Sequence, residues 1–316
     1  MDAVITFVDS SDEVWMRNLL KGYMGENGEP NDALATFINN GDTVRYNFFY
    51  DYGTLRYVLR GIEKFMPYTE NVFLAVSNIE QVPEYVDTSR VIPVIHKDFI
   101  PEKFLPTYNS TTIEMFLNRI PGLGNEFVYF NDDMIPVGRI DYGDLFRDGI
   151  PCINFEENRR DPRYMTYKHC NISFWEAKNS VEMMTGKDTG YSGPVMCPVH
   201  SPVAMLKPVM DEYAGQDRFG SMLDFYVTNT RKGRNLTQYY WSDILFFLKR
   251  YVQNDDLTLK YVWTYELDHF DTRSMDGCKY LCINDSAIKS RPLSETGDMI
   301  RSLLNSILPE KCGYEK

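Results

Sequence analysis

Short apolar runs alternate with amphipathic helical patterns through the first 135 or so residues, and that alternation narrows the folds open to the chain. Strand signals fall at residues 4–8, 72–76, 91–95 and 127–130. Each is apolar and too brief for a helix. Between them, Leu55, Val58, Leu59, Ile62 and Met66 recur at the period of a one-faced helix, and Pro67 closes it. Thr111 and Glu114 form a capping box ahead of an apolar face made by Ile113, Phe116, Leu117 and Ile120, which Pro121-Gly122 ends. Strands and helices at this spacing predict an α/β protein with a Rossmann-like, mostly parallel sheet and crossover helices.

Past residue 140 the alternation fades. Residues 156–170, rich in charge and aromatics, predict a loop. Residues 236–252 predict a helix with Tyr240, Ile244, Phe247, Leu248 and Tyr251 on one side. Residues 295–308 predict a last helix with Met299, Leu303, Leu304 and Ile307 inward. No repeat or low-complexity tract interrupts the chain. The expectation is one catalytic domain over residues 1–316, with 205–235 as the place for a helical insertion.

Composition excludes several function classes. With 33 basic and 45 acidic residues the net charge is −12, the wrong sign for the basic footprint of a nucleic-acid binder. No apolar run approaches the ~20 residues of a membrane span. An acid precedes the short apolar run at the start, which reads as a first strand and not as a signal peptide. Of the six cysteines, Cys278 and Cys282 have no matching Cys/His pair to complete a zinc site, and buried thiols in a reducing cytoplasm are expected.

The chemistry-bearing segment is Phe127-Val-Tyr-Phe-Asn-Asp-Asp-Met134. A buried strand ending in Asn131, Asp132 and Asp133 puts adjacent carboxylates where open α/β sheets bind ligands. Such a pair suits a hard divalent cation serving a diphosphate. A polar turn closing a strand is the competing explanation. Asp9 ends the first strand and reads either as a second ligand-facing acid or as a helix cap. Arg56, Arg60 and Lys64 form a basic stripe opposite the apolar face of their helix. Arg56, nearest the helix start, is the member placed to meet a phosphate. Asn109 and Ser110 precede a helix, where they cap it or hold a phosphate or sugar hydroxyl. His200, between Pro198 and Pro202, reads as a rigidly held general base or as a structural histidine. Arg234 closes a run with three cations in four positions, a phosphate clamp or a solvated loop. Asp285 ends a second strand-like run in Asn-Asp.

In order along the chain these segments resemble the Stealth family. Phe7-Val-Asp-Ser-Ser-Asp12 resembles its first conserved region. The stretch from Asp51 to Lys64, Leu105-Pro-Thr-Tyr-Asn-Ser110, Arg119-Ile-Pro-Gly-Leu123 and Tyr129-Phe-Asn-Asp-Asp133 resemble the second. His200-Ser-Pro202 with the run ending at Arg234 is similar to the third, and Cys282-Ile-Asn-Asp285 with the C-terminal Pro309 to Glu315 to the fourth. Ser10, Thr54 and Asn118 depart from the family's usual glycine, glutamate and histidine.

The family includes bacterial capsule and exopolysaccharide sugar-1-phosphate transferases and the catalytic subunit of N-acetylglucosamine-1-phosphotransferase. The resemblance implies a nucleotide-sugar transferase layout. It also implies transfer of hexose 1-phosphate, or N-acetylhexosamine 1-phosphate from a donor such as UDP-GlcNAc, to a glycan hydroxyl with release of UMP. Asp132 and Asp133, with Asp285, would hold the metal, Mg²⁺ or Mn²⁺. Arg56 and Arg234 would neutralise phosphate oxygens, and His200 or Asp133 would act as base. Asp9, Asn109, Ser110 and Asn131 would contact nucleotide or sugar. The alternatives are a metal-dependent glycosyltransferase releasing UDP and a non-catalytic nucleotide-sugar-binding module. The expected location is the bacterial cytoplasm, at the inner membrane face.

Overall fold

The computed structural model describes residues 1–22, 49–158, 168–227, 236–284 and 291–316. Two predicted site residues, Arg234 and Asp285, lie outside the described residues. In chain order the principal elements are strand β1 (Asp2–Thr6), helices α1 (Glu13–Gly22) and α2 (Thr54–Phe65), strands β2 (Val72–Val76) and β3 (Val91–Ile95), and the short helix α3 (Ser110–Glu114). Strands β4 (Glu126–Asn131) and β5 (Met134–Pro136), helix α4 (Lys168–Thr185), and strands β6 (Met196–Pro198) and β7 (Val203–Leu206) follow. The chain continues through helices α5 (Lys207–Ala214), α6 (Asp217–Tyr226) and α7 (Tyr239–Phe247), strands β8 (Leu259–Trp263) and β9 (Tyr280–Asn284), and helix α8 (Leu293–Ile307).

The chain divides into two compact units. The first comprises Met1–Asp2, His96–Tyr129 and Tyr142–Leu257, and the second Ala3–Ile95, Phe130–Asp141 and Thr258–Lys316.

In the second unit, β1, β2 and β3 are parallel neighbours, with Ala3 opposite Val72 and Val72 opposite Val91. Every residue of β1 and β2 is buried, as parallel strands covered on both faces require. β3 is the edge strand and tolerates Pro93, which has no N–H to give the ladder. Leu55, Val58, Leu59 and Ile62 of α2 are fully buried, as their period predicts. Gly61 is required here by space, because a Cβ would lie 2.4 Å from the Pro136 carbonyl oxygen of β5. β5 pairs antiparallel with β9, and β9 runs parallel to β8. In the first unit, β4 pairs antiparallel with β7, and α4 lies along α7 through a ring cluster that brings Phe174 4.7 Å from Phe247.

Four expectations about elements change. The helix expected from Thr111 to Ile120 is the five-residue α3, followed by a 3₁₀ turn over Leu117–Arg119. Its cap is Asn109, and Trp241 Nε1 donates to the Glu114 carbonyl oxygen at 3.1 Å. That oxygen would have accepted the Asn118 N–H to extend the helix. The 156–170 segment includes a short strand over Phe155–Glu157, and α4 begins at Lys168. The helix expected over 236–252 is confined to Tyr239–Phe247. The last helix buries Thr296, Gly297, Ile300 and Leu304, so only Leu304 of the four expected inward residues is fully covered.

Candidate functional site

The turn after β1 is held by one buried glutamine. Gln81 Oε1 accepts the Asp9 N–H at 2.7 Å, and its Nε2 donates to the Asp9 carbonyl at 3.0 Å and to Asp12 Oδ2 at 2.8 Å. Asp12 is the cap of α1, accepting the N–H groups of Val14 and Trp15 at 2.9 and 3.0 Å. Burial raises the Asp12 pKa, but hydrogen bonds from Gln81, Trp15 and Val14 hold it below the ordinary carboxylate value. Asp9 is therefore relieved of capping. Its carboxylate accepts from the Ser11 N–H at 2.8 Å and from the Ser11 hydroxyl.

A second acid stands near Asp9. Asp51 Oδ1 accepts the Gly53 N–H at 2.6 Å, across a turn that places Gly53 at φ +83° immediately before α2. Only glycine takes that conformation cheaply. Burial pushes the Asp51 carboxyl upward and the Asp9 charge adds to it, while the Gly53 N–H, Arg301 and Arg56 pull it down.

Arg56 is the third residue of α2. Its guanidinium sits 4.2 Å above the Tyr85 ring and 3.4 Å from Glu315 Oε2, with the side chain 40% exposed. Arg60, the next cation of the basic stripe, is turned away from solvent. It is buried, with Nε 2.7 Å from Glu315 Oε1 and Nη1 donating to the Leu308 carbonyl at 2.8 Å. Glu315 thus serves both arginines. Burial pushes the Tyr85 phenol up, and Asp51, Asp132 and Glu315 add to the shift while Arg56 opposes it.

Asn131 ends β4, and Asp132 and Asp133 make the turn into β5, each of the three half-buried. The Asp133 carbonyl accepts the Ile283 N–H at 3.2 Å, and its Oδ2 lies 3.5 Å from Asn284 Nδ2 and 3.8 Å from Cys282 Sγ. β9 therefore brings its Cys282-Ile-Asn284 end to the acidic turn. Burial drives the Cys282 thiol well up, and the charge of Asp133 reinforces it. Among the described residues no three His, Cys, Asp or Glu side chains form a ready cation cage. The Asp132–Asp133 pair still fits Mg²⁺ by donor chemistry, because Mg²⁺ is commonly held through one or two carboxylates completed by substrate phosphates and water.

Asn109, Ser110 and His200 belong to the first unit. Asn109 is buried and caps α3, its Oδ1 accepting the Thr111 hydroxyl at 2.9 Å and the Thr111 N–H at 3.3 Å. Ser110 is the first residue of that helix. His200 Nδ1 lies 3.1 Å from the Tyr239 hydroxyl, and burial pushes its pKa down to about 4, so its ring is neutral at pH 7. Glu114, expected as the capping-box partner of Thr111, instead accepts through its buried carboxylate from the Tyr129 hydroxyl at 3.2 Å and the Gln238 N–H at 3.0 Å.

The second unit thus gathers Asp9, Arg56, Asn131, Asp132 and Asp133 from the predicted set. To these it adds Asp51, Gln81, Tyr85, Arg301 and Glu315, which sequence reasoning did not single out as site residues. Asp51 opens the second Stealth-like segment and Glu315 closes the fourth, so their signal lay in the motif ends.

Residues 48–152 match the family described as Stealth protein CR2, conserved region 2. An exopolysaccharide phosphotransferase, Cps2G of Lactiplantibacillus plantarum, is 25% identical, with 100% of this chain and 96% of that protein aligned. The receptor polysaccharide phosphotransferase WefC of Streptococcus oralis is 34% identical over 49% of this chain and 44% of its own length. A capsular polysaccharide phosphotransferase of Haemophilus influenzae, Fcs1, is 25% identical over 74% of this chain and 61% of its own. The alignments thus span nearly all of Cps2G but less than two thirds of WefC and Fcs1. The solved galactosyltransferase LgtC aligns over 97% of this chain at 12% identity, with a TM-score of 0.39. Residues 48–152 thus match the second conserved region of Stealth proteins, and the whole chain is similar in sequence to an exopolysaccharide phosphotransferase.

Proposed function

We propose that this protein is a phosphotransferase that moves a hexose 1-phosphate, or an N-acetylhexosamine 1-phosphate, from a UDP-sugar to a glycan hydroxyl. One observation carries the reading: a single compact unit gathers an acidic turn, a second acid pair at Asp9 and Asp51, and the arginines Arg56 and Arg301. Acids for a cation beside cations for phosphates are what a bound diphosphate needs. The phosphotransferase names of the relatives support the same chemistry.

In this scheme the acceptor oxygen attacks the phosphorus nearer the sugar. A new P–O bond forms, the phosphoanhydride bond breaks, and UMP departs with the bridging oxygen. Such transfers depend on positioning and charge neutralisation more than on covalent help from the protein. Asp132 and Asp133, with Asp285, would hold Mg²⁺ or Mn²⁺, which would neutralise phosphate charge. Arg56, Arg234 and Arg301 would bind phosphate oxygens, and guanidinium forks match them better than ammonium groups do. Asp9 and Asn131 would contact the donor, and Asn109 and Ser110 the sugar. His200, neutral at pH 7, would take the acceptor proton, with Asp133 as the alternative base. No described helix is long and apolar enough to cross a membrane. In this reading the enzyme would work on the cytoplasmic face, where UDP-sugars are made.

The test is a panel of UDP-sugars incubated with protein, Mg²⁺ and oligosaccharide acceptors, followed by chromatography of the nucleotides. UMP is the expected product. UDP would reassign the chain to glycosyl transfer, and donor binding without turnover would make it a binding module.

A further inference from the structure

Two cysteines meet inside the first unit, although the chemistry proposed above uses neither. Cys170, in the first turn of α4, and Cys197, the central residue of β6, have their sulfurs 2.8 Å apart across 27 positions of sequence. No disulfide joins them. Cys170 is buried and Cys197 half-buried, so Cys197 is the more accessible residue of the two.

We propose that Cys170 and Cys197 are a dithiol site that closes to a disulfide when a small-molecule disulfide such as oxidised glutathione is supplied. The more accessible Cys197 thiolate attacks one sulfur of the oxidant, releasing one glutathione thiol and forming a mixed disulfide. The Cys170 thiolate then attacks the Cys197 sulfur and displaces the second glutathione. The two cysteines lose two protons and two electrons. The oxidant's S–S bond takes up both electrons, and two glutathione thiols leave.

Position favours the second step over a lasting adduct, because the resolving sulfur already lies against the first and no chain rearrangement is needed to bring it there. The surroundings do not oppose it. Asp243 of α7 is the acid coupled to Cys170. Burial first, and Cys170 second, push the Asp243 carboxyl well above the ordinary range, which weakens the negative charge it sets against a Cys170 thiolate. The bond would tie the start of α4 to β6, the strand that leads through Val199 into His200. This inference is independent of the transfer reaction.

The experiment is native full-length protein treated with oxidised glutathione, quenched by alkylation and mapped by peptide mass spectrometry. The expected result is one dominant cross-linked peptide pair joining Cys170 to Cys197, with a loss of roughly 2 Da from the intact chain and recovery of both thiols on reduction. In Cys170→Ser the glutathione adduct should persist on Cys197, because the resolving sulfur is gone. Full alkylation of both cysteines after oxidant treatment, or preferred pairing of either with another cysteine, overturns the proposal.

Discussion

Asp132 and Asp133 illustrate how far residue chemistry can be read from sequence. Two acids at the end of an aromatic strand are conspicuous, and the structure puts them in a half-buried turn beside the end of β9. Asp132→Asn or Asp133→Asn should lower turnover by at least about 10²-fold, the usual cost of removing one preorganised charge from a site of charge transfer. Melting temperature should change little, since neither side chain is fully buried. Steady-state rates with and without EDTA are the check, and full activity in EDTA would remove the metal from the account.

The histidines were less legible, because their pKa depends on burial that a sequence does not print. Burial pushes His96 and His200 down to about 4 from an ordinary 6.5. The unfolded chain therefore binds protons near pH 6.5 that the folded chain refuses until about pH 4. Stability is full above that window and falls as pH drops through it, at up to about 1.4 kcal/mol per unit for each histidine. His96 lies against Phe99, and among the described residues neither ring nitrogen has a hydrogen-bond partner. His96→Leu should flatten the fall in melting temperature between pH 6.5 and 4.5 relative to the unaltered protein. An unchanged slope would mean that this ring is not held neutral.

At the scale of elements, periodicity served best where one face alone is buried. The apolar stripe of α2 was read correctly, and so were the short strands. It failed where a tertiary partner intervened. Trp241 takes the carbonyl oxygen that would have continued α3, and that partner lies 127 positions away. It was also overlooked in α4, whose Cys170, Phe174, Ala177 and Val181 do repeat at helical spacing but sit among polar residues and after a charged stretch.

The basic stripe on α2 divided for the same reason. Arg60 is buried because the C-terminal segment covers it and Glu315 meets it, a contact 255 positions apart. Glu315→Gln should cost about 3–5 kcal/mol of stability, the range for removing one partner from a buried ion pair. Arg60→Lys should recover little, since Arg60 uses Nε and both terminal nitrogens. Chemical denaturation of the two variants tests this. A loss under about 1 kcal/mol would show the pair to be no more than a surface bridge.

At the scale of the molecule, the order of motifs was more informative than any motif alone. Asp9, Asp51, Arg56 and Asp132 are spread over 124 positions, and their shared neighbourhood follows from strands and helices that return to it. Gln81, Tyr85 and Arg301 joined the set without a sequence signal, because each is common in type and is placed only by the fold. The central claim is that the bond broken lies between the two phosphates of the donor. It is tested most directly with a UDP-sugar carrying radioactive phosphorus at the sugar-side position, incubated with this protein, Mg²⁺ and an oligosaccharide acceptor. The account predicts that the label moves into the glycan as a phosphodiester while unlabelled UMP accumulates. Label retained in UDP, with a glycan heavier by a hexose alone, would contradict it.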